Sequence, residues 1–556
     1  MSGQTVYAAA QDSLAAINAL PPEILRIIFL YSTTPGSRMI SFGNCIGFTV
    51  NRWKRKYSWI RLTHVCKHWR AIALGFPGLW NDLALPAMKR KWLTEVLGRS
   101  MSAPLDISLD IIDAKPRSRT KCLKPKQALE MVLKSRTADV RSLSLFVQCE
   151  DPSPVLELLG RKTLHPEFLD VFVLSTLSPE MLEDVQQLLG RIRTPRLRRL
   201  TVQSFALQWY AMALPQLTHL SIVDNRGCKW NSKAPSMDFK ELTDTLACMK
   251  SLEELIIRLY GSFIHSESDL PTPTTSCRTA LPQLRHLSIE ARMLDMICLL
   301  ERLDVPSLSR LCVGLNDDHQ PDALQEQLLP AIVAKITPFE SFLTLFLDIR
   351  NMSTVRIHAY TCALSVAFMS DYRIAQEGVP NGPRATFELY MRSSDLARNL
   401  AIESCKLLPL GDVRSLLLFG HSFDSSEWAT LFAQTDNVTQ LVVVSHCDAD
   451  TEEADGRLSG ALMRKQDASA DGVGPHPFVL PHLHSLGLVA HNFARLQAGL
   501  PDVIDHLAAC LRQRRGEGAG IETLHITRAT NLRTSRVITL AKLTNVKRNG
   551  KVKIVR

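Results

Sequence analysis

Leu-Arg-His-Leu-Ser-Ile at residues 284–289 is one copy of a pattern that recurs through most of this 556-residue chain. Two other clear copies are Leu-Thr-His-Leu-Ser-Ile at 217–222 and Pro-Arg-Leu-Arg-Arg-Leu-Thr-Val at 195–202. Further copies centre on Leu143, Leu255, Leu311, Leu416, Leu441, Leu486 and Leu524. Each copy ends in Leu, one variable residue and an aliphatic residue, an alternation that predicts a short β-strand. Recurrence every 20 to 45 residues or so indicates a repeat architecture.

Helix-like stretches lie between the copies, for example at residues 178–190 and 239–250. In the first of them, Pro179 and Glu180 suit a helical first turn. One strand–helix unit cannot bury its own apolar face, so neighbouring units are expected to stack. The pattern resembles the leucine-rich-repeat domains found behind many F-boxes. We therefore expect residues 137–556 to form a leucine-rich-repeat-like α/β solenoid.

The repeat departs from the common leucine-rich repeat at the position that usually carries asparagine. Asn225 and Asn316 occupy it in earlier copies, whereas later copies have His421, His446 and His491. Because that asparagine normally satisfies backbone groups at the turn, we expect an irregular, strongly curved array. Inserted loops rich in Ser, Thr, Pro, Asp or Gly are predicted near residues 261–280, 350–385 and 450–476. An ordinary α/β domain with buried parallel strands is the alternative fold.

Two amphipathic segments precede the repeats. The first is Leu-Pro-Pro-Glu-Ile-Leu-Arg-Ile-Ile-Phe-Leu at residues 20–30, where the proline pair suits the first turn of a helix. Ile24, Leu25 and Ile28 then share one face. The second, residues 59–80, carries apolar residues at helical spacing until Gly75 and Pro77, which predicts another helix.

The Leu-Pro-Pro-Glu start, the Val-Cys-x-x-Trp-Arg helix and the Pro-x-Leu-Trp end resemble the F-box in its fungal form. The resemblance implies that residues 17–85 are a short all-α module, interrupted by an exposed inserted loop at 31–58. Residues 1–16 are then a flexible N-terminus, and residues 86–136 a linker and the start of the repeat domain. The resemblance also implies that Leu79 and Trp80 close the module. Adaptor binding would depend on seven residues that either contact the adaptor or hold the helices that do: Leu20, Pro21, Ile24, Leu25, Val65, Cys66 and Trp69.

By the same resemblance the chain is the substrate-recognition subunit of a Skp-cullin-F-box E3 ubiquitin ligase. The F-box would bind the Skp-type adaptor, and through it the cullin scaffold, while the repeat domain holds an unknown protein target. The alternative function is a scaffold for protein–protein interaction outside any ligase.

Composition agrees with a protein that is not membrane-bound. No apolar run reaches the roughly 18 residues that a membrane helix needs. The thirteen cysteines include no Cys-x-x-Cys pair, which predicts reduced thiols, no disulfides and a cytoplasmic or nuclear location. The net charge of +10 comes from clusters at residues 115–126, 191–199, 512–515 and 542–556. No zinc finger or RNP-type strand accompanies them, so nucleic-acid binding is not expected.

The sequence contains no convincing phosphate loop, nucleophile turn or pair of catalytic acids. Two histidine groups could hold zinc in principle: His64 and His68 with Cys66, and His482 and His484 with His476. The first group lies inside the F-box pattern, and the second has no cysteine or carboxylate at suitable spacing. We therefore expect no metal, no cofactor and no catalytic residue. The catalytic thiol of a ligase would come from another subunit.

Strand alternation predicts where the target binds. The aliphatic residues of each copy face the core, so the residues between them face outward on one sheet surface. The outward residues of the earlier copies are polar and largely basic, which favours a target with an acidic segment. We predict target contacts at Arg199, Thr201, Gln203, His219, Arg258, His286, Glu290 and Arg310. Those of the later copies are apolar: Leu417, Phe419, Val442, Val444 and Val489. This apolar end either anchors the target or is covered by an insertion or by the C-terminal tail.

Overall fold

A computed structural model describes residues 20–33, 57–85, 89–112, 124–148, 157–159, 166–173, 196–203, 214–224, 239–259, 278–315, 324–349, 354–370, 383–392, 397–420, 425–445, 454–463, 478–491, 493 and 503–549. The chain divides into two compact units, Met1–Leu252 and Glu253–Arg556. Each unit is a mixed α/β structure whose sheet is mostly parallel.

Unit 1 begins with a helical module. Its elements are α1 (Pro22–Thr33), a 3-10 helix (Ser58–His64), α2 (Lys67–Leu74) and a second 3-10 helix (Pro77–Leu79). Pro22 opens α1 as predicted, because a helix's first turn needs no backbone donor there. Since α1 continues to Thr33, residues 31–33 of the predicted insertion are helical, and residues 34–56 lie outside the described residues.

The single helix predicted from residue 59 to the stop at Gly75 and Pro77 is wrong, because Cys66 interrupts the helical conformation. That residue is extended, with φ −155° and ψ 170°, and its Sγ accepts a hydrogen bond from the Trp69 amide at 3.4 Å. The thiol thus takes the role that serine usually has at a helix N-cap. Periodicity alone cannot distinguish this short break from a continuous helix.

The remaining elements of unit 1 alternate strand and helix. They are β1 (Asp82–Ala84), α3 (Arg90–Arg99), β2 (Leu105–Ile112), α4 (Pro125–Arg136), β3 (Val140–Gln148), β4 (Phe168–Val173), β5 (Arg199–Gln203), β6 (His219–Asp224) and α5 (Phe239–Ala247). The helix predicted at 239–250 is confirmed, whereas the one at 178–190 falls outside the described residues.

Strands β1 to β6 pair in chain order, all parallel. One row of aligned, almost fully buried residues crosses all six strands: Leu83, Ile107, Leu143, Leu169, Leu200 and Leu220. This continuous apolar row is the core that single repeats cannot form alone.

Unit 2 starts with β7 (Glu254–Leu259), β9 (His286–Ala291), α6 (Met293–Arg302) and β11 (Arg310–Leu315), with the short strands β8 (Thr279–Ala280) and β10 (Leu303–Asp304) paired separately. Next come a π-helical turn (Leu324–Leu328), α7 (Leu329–Ile336), β12 (Thr344–Ile349), β13 (Thr354–Tyr360), α8 (Val366–Met369) and β14 (Phe387–Arg392).

The unit ends with a regular alternation of helix and strand. Its members are α9 (Ala397–Leu407), β15 (Ser415–Gly420), α10 (Ser425–Phe432), β16 (Gln440–Val444), α11 (Ala454–Met463), β17 (Ser485–Val489), α12 (Val503–Gly516), β18 (Thr523–Thr527), α13 (Thr534–Ala541) and β19 (Asn545–Asn549). All ten leucines at the centres of the predicted copies lie on strands, in both units.

Chain order and spatial order differ in the middle of unit 2. Strand β11 pairs with β14, and β12 pairs with β15, while β13 lies between β12 and β14 and is antiparallel to both. The spatial order is therefore β11, β14, β13, β12, β15. The loop predicted at 350–385 is thus wrong, because this segment contains β13 and α8. The loop predicted at 450–476 is also wrong in part, because α11 lies within it. Thr-Val-Arg-Ile-His-Ala-Tyr at 354–360 has the alternation of a strand, which the loop-rich residues around it obscured.

Two buried polar side chains tie the last repeats together. His491, at the position where asparagine is usual, lies with Nε2 3.1 Å from the Val443 carbonyl, so the histidine also serves a backbone group. Arg514 is fully buried, and its guanidinium donates four hydrogen bonds of 2.7 to 3.2 Å to carbonyl oxygens, those of Leu462, Val479, Leu480 and Ala519. It also lies 5.0 Å from the centre of the Phe478 ring.

Candidate interaction surfaces

Helix α1 has a buried apolar side that locks it into the helical module. Leu25 and Phe29, four residues apart, are both fully buried. The Phe29 ring lies 5.1 Å from the ring of Trp69 in α2. This contact fixes which side of α1 faces outward.

The outward side of α1 is also apolar. Ile24, Ile27, Ile28 and Tyr31 are 42%, 49%, 37% and 78% exposed. Their spacing of three, four and seven residues puts them on one face of the helix, and we call this set the helical stripe. Val65, just before α2, is 52% exposed. A soluble helix rarely leaves a row of large apolar side chains in water unless the row binds something.

The predicted adaptor-binding residues fall into three groups. Pro21, Ile24 and Val65 are exposed, and Leu20 and Cys66 are half-buried. The other two, Leu25 and Trp69, are core residues and can only support such a surface from inside. Tyr31 and Ile27 were not predicted, although the helical spacing from Ile24 would have identified both.

Aromatic rings join the helical module to the first strand and helix of unit 1. Trp80, 3% exposed, lies 4.8 Å from Trp59 and 5.8 Å from Trp92, and its indole nitrogen donates to the Ala73 carbonyl at 3.0 Å. Arg99 lies 5.1 Å above the Trp80 ring. Leu79 is 4% exposed. Leu79 and Trp80 therefore occupy the core at the end of the module.

Tyr57, at the end of the predicted insertion, belongs to this core. Its hydroxyl donates to the Asp82 carbonyl at 3.2 Å and accepts from the Ala84 amide at 3.3 Å. Burial raises the pKa of Tyr57 well above its usual range. The exposed loop predicted at 31–58 therefore does not extend to residue 57.

In unit 1, the outward face of β5 and β6 carries four of the predicted target-binding residues. Arg199 is half-buried, with its guanidinium 5.6 Å from the centre of the Phe168 ring. His219 is half-buried, with Nδ1 2.8 Å from the Thr218 hydroxyl. Thr201 is 6% exposed, which leaves it little surface for a partner. The side chain of Gln203 lies outside the described residues.

In unit 2, the corresponding face is a network of paired charges and not a basic surface. Arg310 Nη2 donates to Glu388 Oε1 at 2.6 Å across the contact between β11 and β14. Arg258 and Glu290 form an ion pair at 3.5 Å, and both are nearly buried. These two residues are thus unsuited to contacting a target directly. The acidic partner of Arg310 comes from a strand 78 residues away in sequence, which strand periodicity could not reveal.

A thiol and an imidazole lie close together in this network. Cys312 Sγ lies 3.8 Å from His286 Nε2, and His286 Nδ1 lies 3.2 Å from Glu254 Oε1. Burial, with Glu388 nearby, raises the pKa of Cys312 to about 12. A catalytic cysteine needs the opposite shift, because the thiolate is the reactive form.

The apolar end of the outward face is covered from within the chain. Leu417, Phe419, Val442, Val444 and Val489 form a buried cluster with residues of the segment 360–370, namely Tyr360, Leu364, Val366 and Met369. The Val366 amide donates to Gln440 Oε1 at 3.1 Å, which seats α8 on the sheet. Of the two expected outcomes, coverage by an insertion is the one observed. The hydrophobic anchor for a target is therefore not available on this face.

Of the two histidine groups considered for zinc, the structure describes all members except His476, which lies outside the described residues. His64 and His68 lie in different helices, and His482 and His484 lie in the turn before β17, outside any strand. Nowhere in the described ranges do three His, Cys, Asp or Glu side chains come close enough to bind a metal ion. Among the described helices, none has both the length and the apolar character needed to cross a membrane.

Comparison with known proteins identifies no family for this chain. No protein-family model matches it, and no curated protein sequence matches it. A solved leucine-rich repeat-containing protein, LegL7 from Legionella pneumophila, aligns over 84% of this chain and 89% of its own length at 12% identity and a TM-score of 0.18. A TM-score this low is too small to support a common fold.

Proposed function

We propose that this protein is the substrate receptor of a Skp-cullin-F-box ubiquitin ligase. In this proposal the helical module is an F-box that binds the Skp-type adaptor. The strand–helix repeats of both units are leucine-rich-repeat-like, and the repeat domain holds a protein target. What supports the repeats is the row of aligned leucines across parallel strands, with a helix after most of them. What supports the F-box is the sequence resemblance together with the helical stripe.

The helical stripe is the observation on which the proposal depends most. Leu25 and Phe29 fix the orientation of α1, so Ile24, Ile27, Ile28 and Tyr31 stay exposed in a row. An amphipathic helix that presents anchors at this spacing is a common way to fill a groove on a partner. A Skp-type adaptor is the partner that the F-box resemblance implies.

The proposed receptor does no chemistry itself. It would raise the local concentration of target lysines near a ubiquitin-loaded enzyme held by other subunits. Target contacts are proposed at the accessible members of the polar faces: Arg199 and His219 in unit 1, and His286 and Arg310 in unit 2. Because Arg310 already pairs with Glu388, the face presents both positive and negative groups. The expected target therefore carries both acidic and basic residues, and not only acidic ones.

Co-purification with a Skp-type adaptor tests the proposal. The double substitution Ile24→Glu and Ile28→Glu should abolish capture of the adaptor, since buried apolar anchors contribute about 1 to 2 kcal/mol or more each. Ile538→Glu is the matched control, because Ile538 is an exposed isoleucine (56%) in unit 2. Circular dichroism should show all three proteins folded. Equal capture by the double variant and the wild type would refute the role of the stripe.

A further inference from the structure

Positive charge is concentrated at the C-terminal end of unit 2, and the function proposed above makes no use of it. Residues 503–549 contain nine Lys and Arg residues against three Asp and Glu residues. Arg514 is buried, and Arg536 Nη1 pairs with Asp505 Oδ1 at 2.7 Å. The other seven cations are exposed. We call five of them the basic edge: Arg512, Arg515, Lys542, Lys547 and Arg548.

Spacing and contacts link four members of the basic edge: Arg512, Arg515, Lys542 and Lys547. Arg512 and Arg515 are three residues apart on α12 and so share one side of that helix. Arg515 Nη1 donates to the Lys542 and Leu543 carbonyls, both at 3.4 Å. A cleft of about 500 Å³ is lined there by Arg515, Lys542, Asn545 and a single acidic residue, Glu522. Lys547 lies on β19 two residues after Asn545, and it is paired with His525 of β18.

Strand β19 offers backbone groups beside these cations. It pairs with β18, and the described residues place no strand on its other side. The Asn545 amide donates to the Glu522 carbonyl at 3.0 Å, toward β18. Successive peptide groups of a strand point to alternate sides, so the amide and carbonyl groups of Val546 and Arg548 point outward. Such a row of outward groups is a template for another strand.

The chemistry of the surface favours a polypeptide over a nucleic acid. Residues 503–556 contain no Phe, Trp or Tyr, so the surface has no aromatic platform on which bases could stack. Outward amide and carbonyl groups on an extended strand are instead complementary to another extended peptide. The cations then select among peptides by charge, and they repel other basic edges.

We propose that an extended acidic segment of a partner protein adds to β19 as a strand, with its carboxylates on the basic edge. This docking surface lies in unit 2 and needs neither the helical module nor the adaptor. Peptide binding at β19 can therefore be confirmed or refuted independently of the ligase proposal.

Fluorescence anisotropy on the full-length protein tests the charge of the partner. The probe is a labelled 12-residue peptide of alternating Glu and Val, and its affinity should fall as salt is raised. The double substitution Lys542→Ala and Lys547→Ala should weaken binding by about tenfold or more. The control Lys89→Ala and Lys91→Ala removes two exposed lysines from unit 1 and should change nothing. Absence of binding, or equal binding by both double variants, would overturn the proposal.

Two further measurements test strand addition itself. Val546→Pro removes one outward amide, which an edge strand tolerates, and should reduce affinity about tenfold with circular dichroism unchanged. The second measurement needs no variant: the same peptide N-methylated at alternate residues should bind the wild-type protein about tenfold more weakly. Undiminished binding of the N-methylated peptide, or undiminished binding by a folded Val546→Pro variant, would refute strand addition. Tighter binding of a 12-nucleotide single-stranded DNA than of the peptide would instead assign the surface to nucleic acid.

Discussion

Replacement of Arg514 by methionine should open the last repeats of unit 2. The guanidinium is fully buried and donates to four carbonyl oxygens. Those carbonyls belong to the end of α11, to the segment before β17 and to the turn after α12. The side chain thus joins three separate segments of the last repeats.

The expected cost follows from these contacts. Burial of the charged guanidinium is unfavourable, as the lowered pKa of Arg514 shows. Removing the charge therefore stabilises the folded state by the free energy that its desolvation had cost. It also leaves four buried carbonyls without their donor, at roughly 1 to 3 kcal/mol each where water does not replace it. Loss of one partner from a buried charged network typically costs about 3 to 5 kcal/mol, and we expect Arg514→Met to lie in that range.

Hydrogen exchange measured by mass spectrometry is the appropriate assay, because a chain of two units need not unfold in one step. Where exchange follows the opening equilibrium, a loss of about 3 to 5 kcal/mol should speed exchange in peptides covering residues 478–483 and 503–520 by about two to four orders of magnitude. Arg512→Met changes an exposed arginine two residues earlier and should stay within about 0.5 kcal/mol of wild type. Equal exchange in the two variants would refute the assigned role of Arg514.

Two other predictions concern the middle of unit 2. Burial lowers the pKa of His358, and Glu388 opposes this shift. The folded protein therefore favours the neutral imidazole. Its contribution to folding stability is present above the unfolded pKa of about 6.5 and is lost as the pH falls below that value. The melting temperature of wild type should therefore drop more between pH 8 and pH 5.5 than that of His358→Gln; parallel curves would contradict this. A side chain at Gly487 would meet Val442 at 3.0 Å and Val366 at 3.3 Å. Gly487→Ala should lower the free energy of unfolding by about 1 to 3 kcal/mol and weaken the packing of α8 on the sheet. Gly411→Ala is the control, because its added methyl group would meet no atom within 4 Å. Equal unfolding midpoints of the two variants would show that α8 does not pack at Gly487.

Part of the interaction surface followed directly from periodicity. The start of α1 at Pro22 and the exposure of Ile24 and Val65 agree with the sequence pattern. Leu25 and Trp69 are core residues and can only hold the helices. The sequence left open which residues contact a partner and which hold the helices, because an amphipathic pattern does not show which neighbour covers the apolar side of a helix. In α1 both a buried and an exposed apolar row exist, and only packing against Trp69 separates them.

The sequence by itself determined the repeating strands and their inward leucines. Each depends on alternation over five or six residues, and all ten predicted centres lie on strands, from Leu143 to Leu524. Only the tertiary structure decided which strands became neighbours. It placed β14 beside β11, so Glu388 neutralises Arg310, and it laid α8 over the apolar end of the face. Strand formation is local, but pairing between strands distant in sequence depends on packing across the whole unit, which no short pattern encodes.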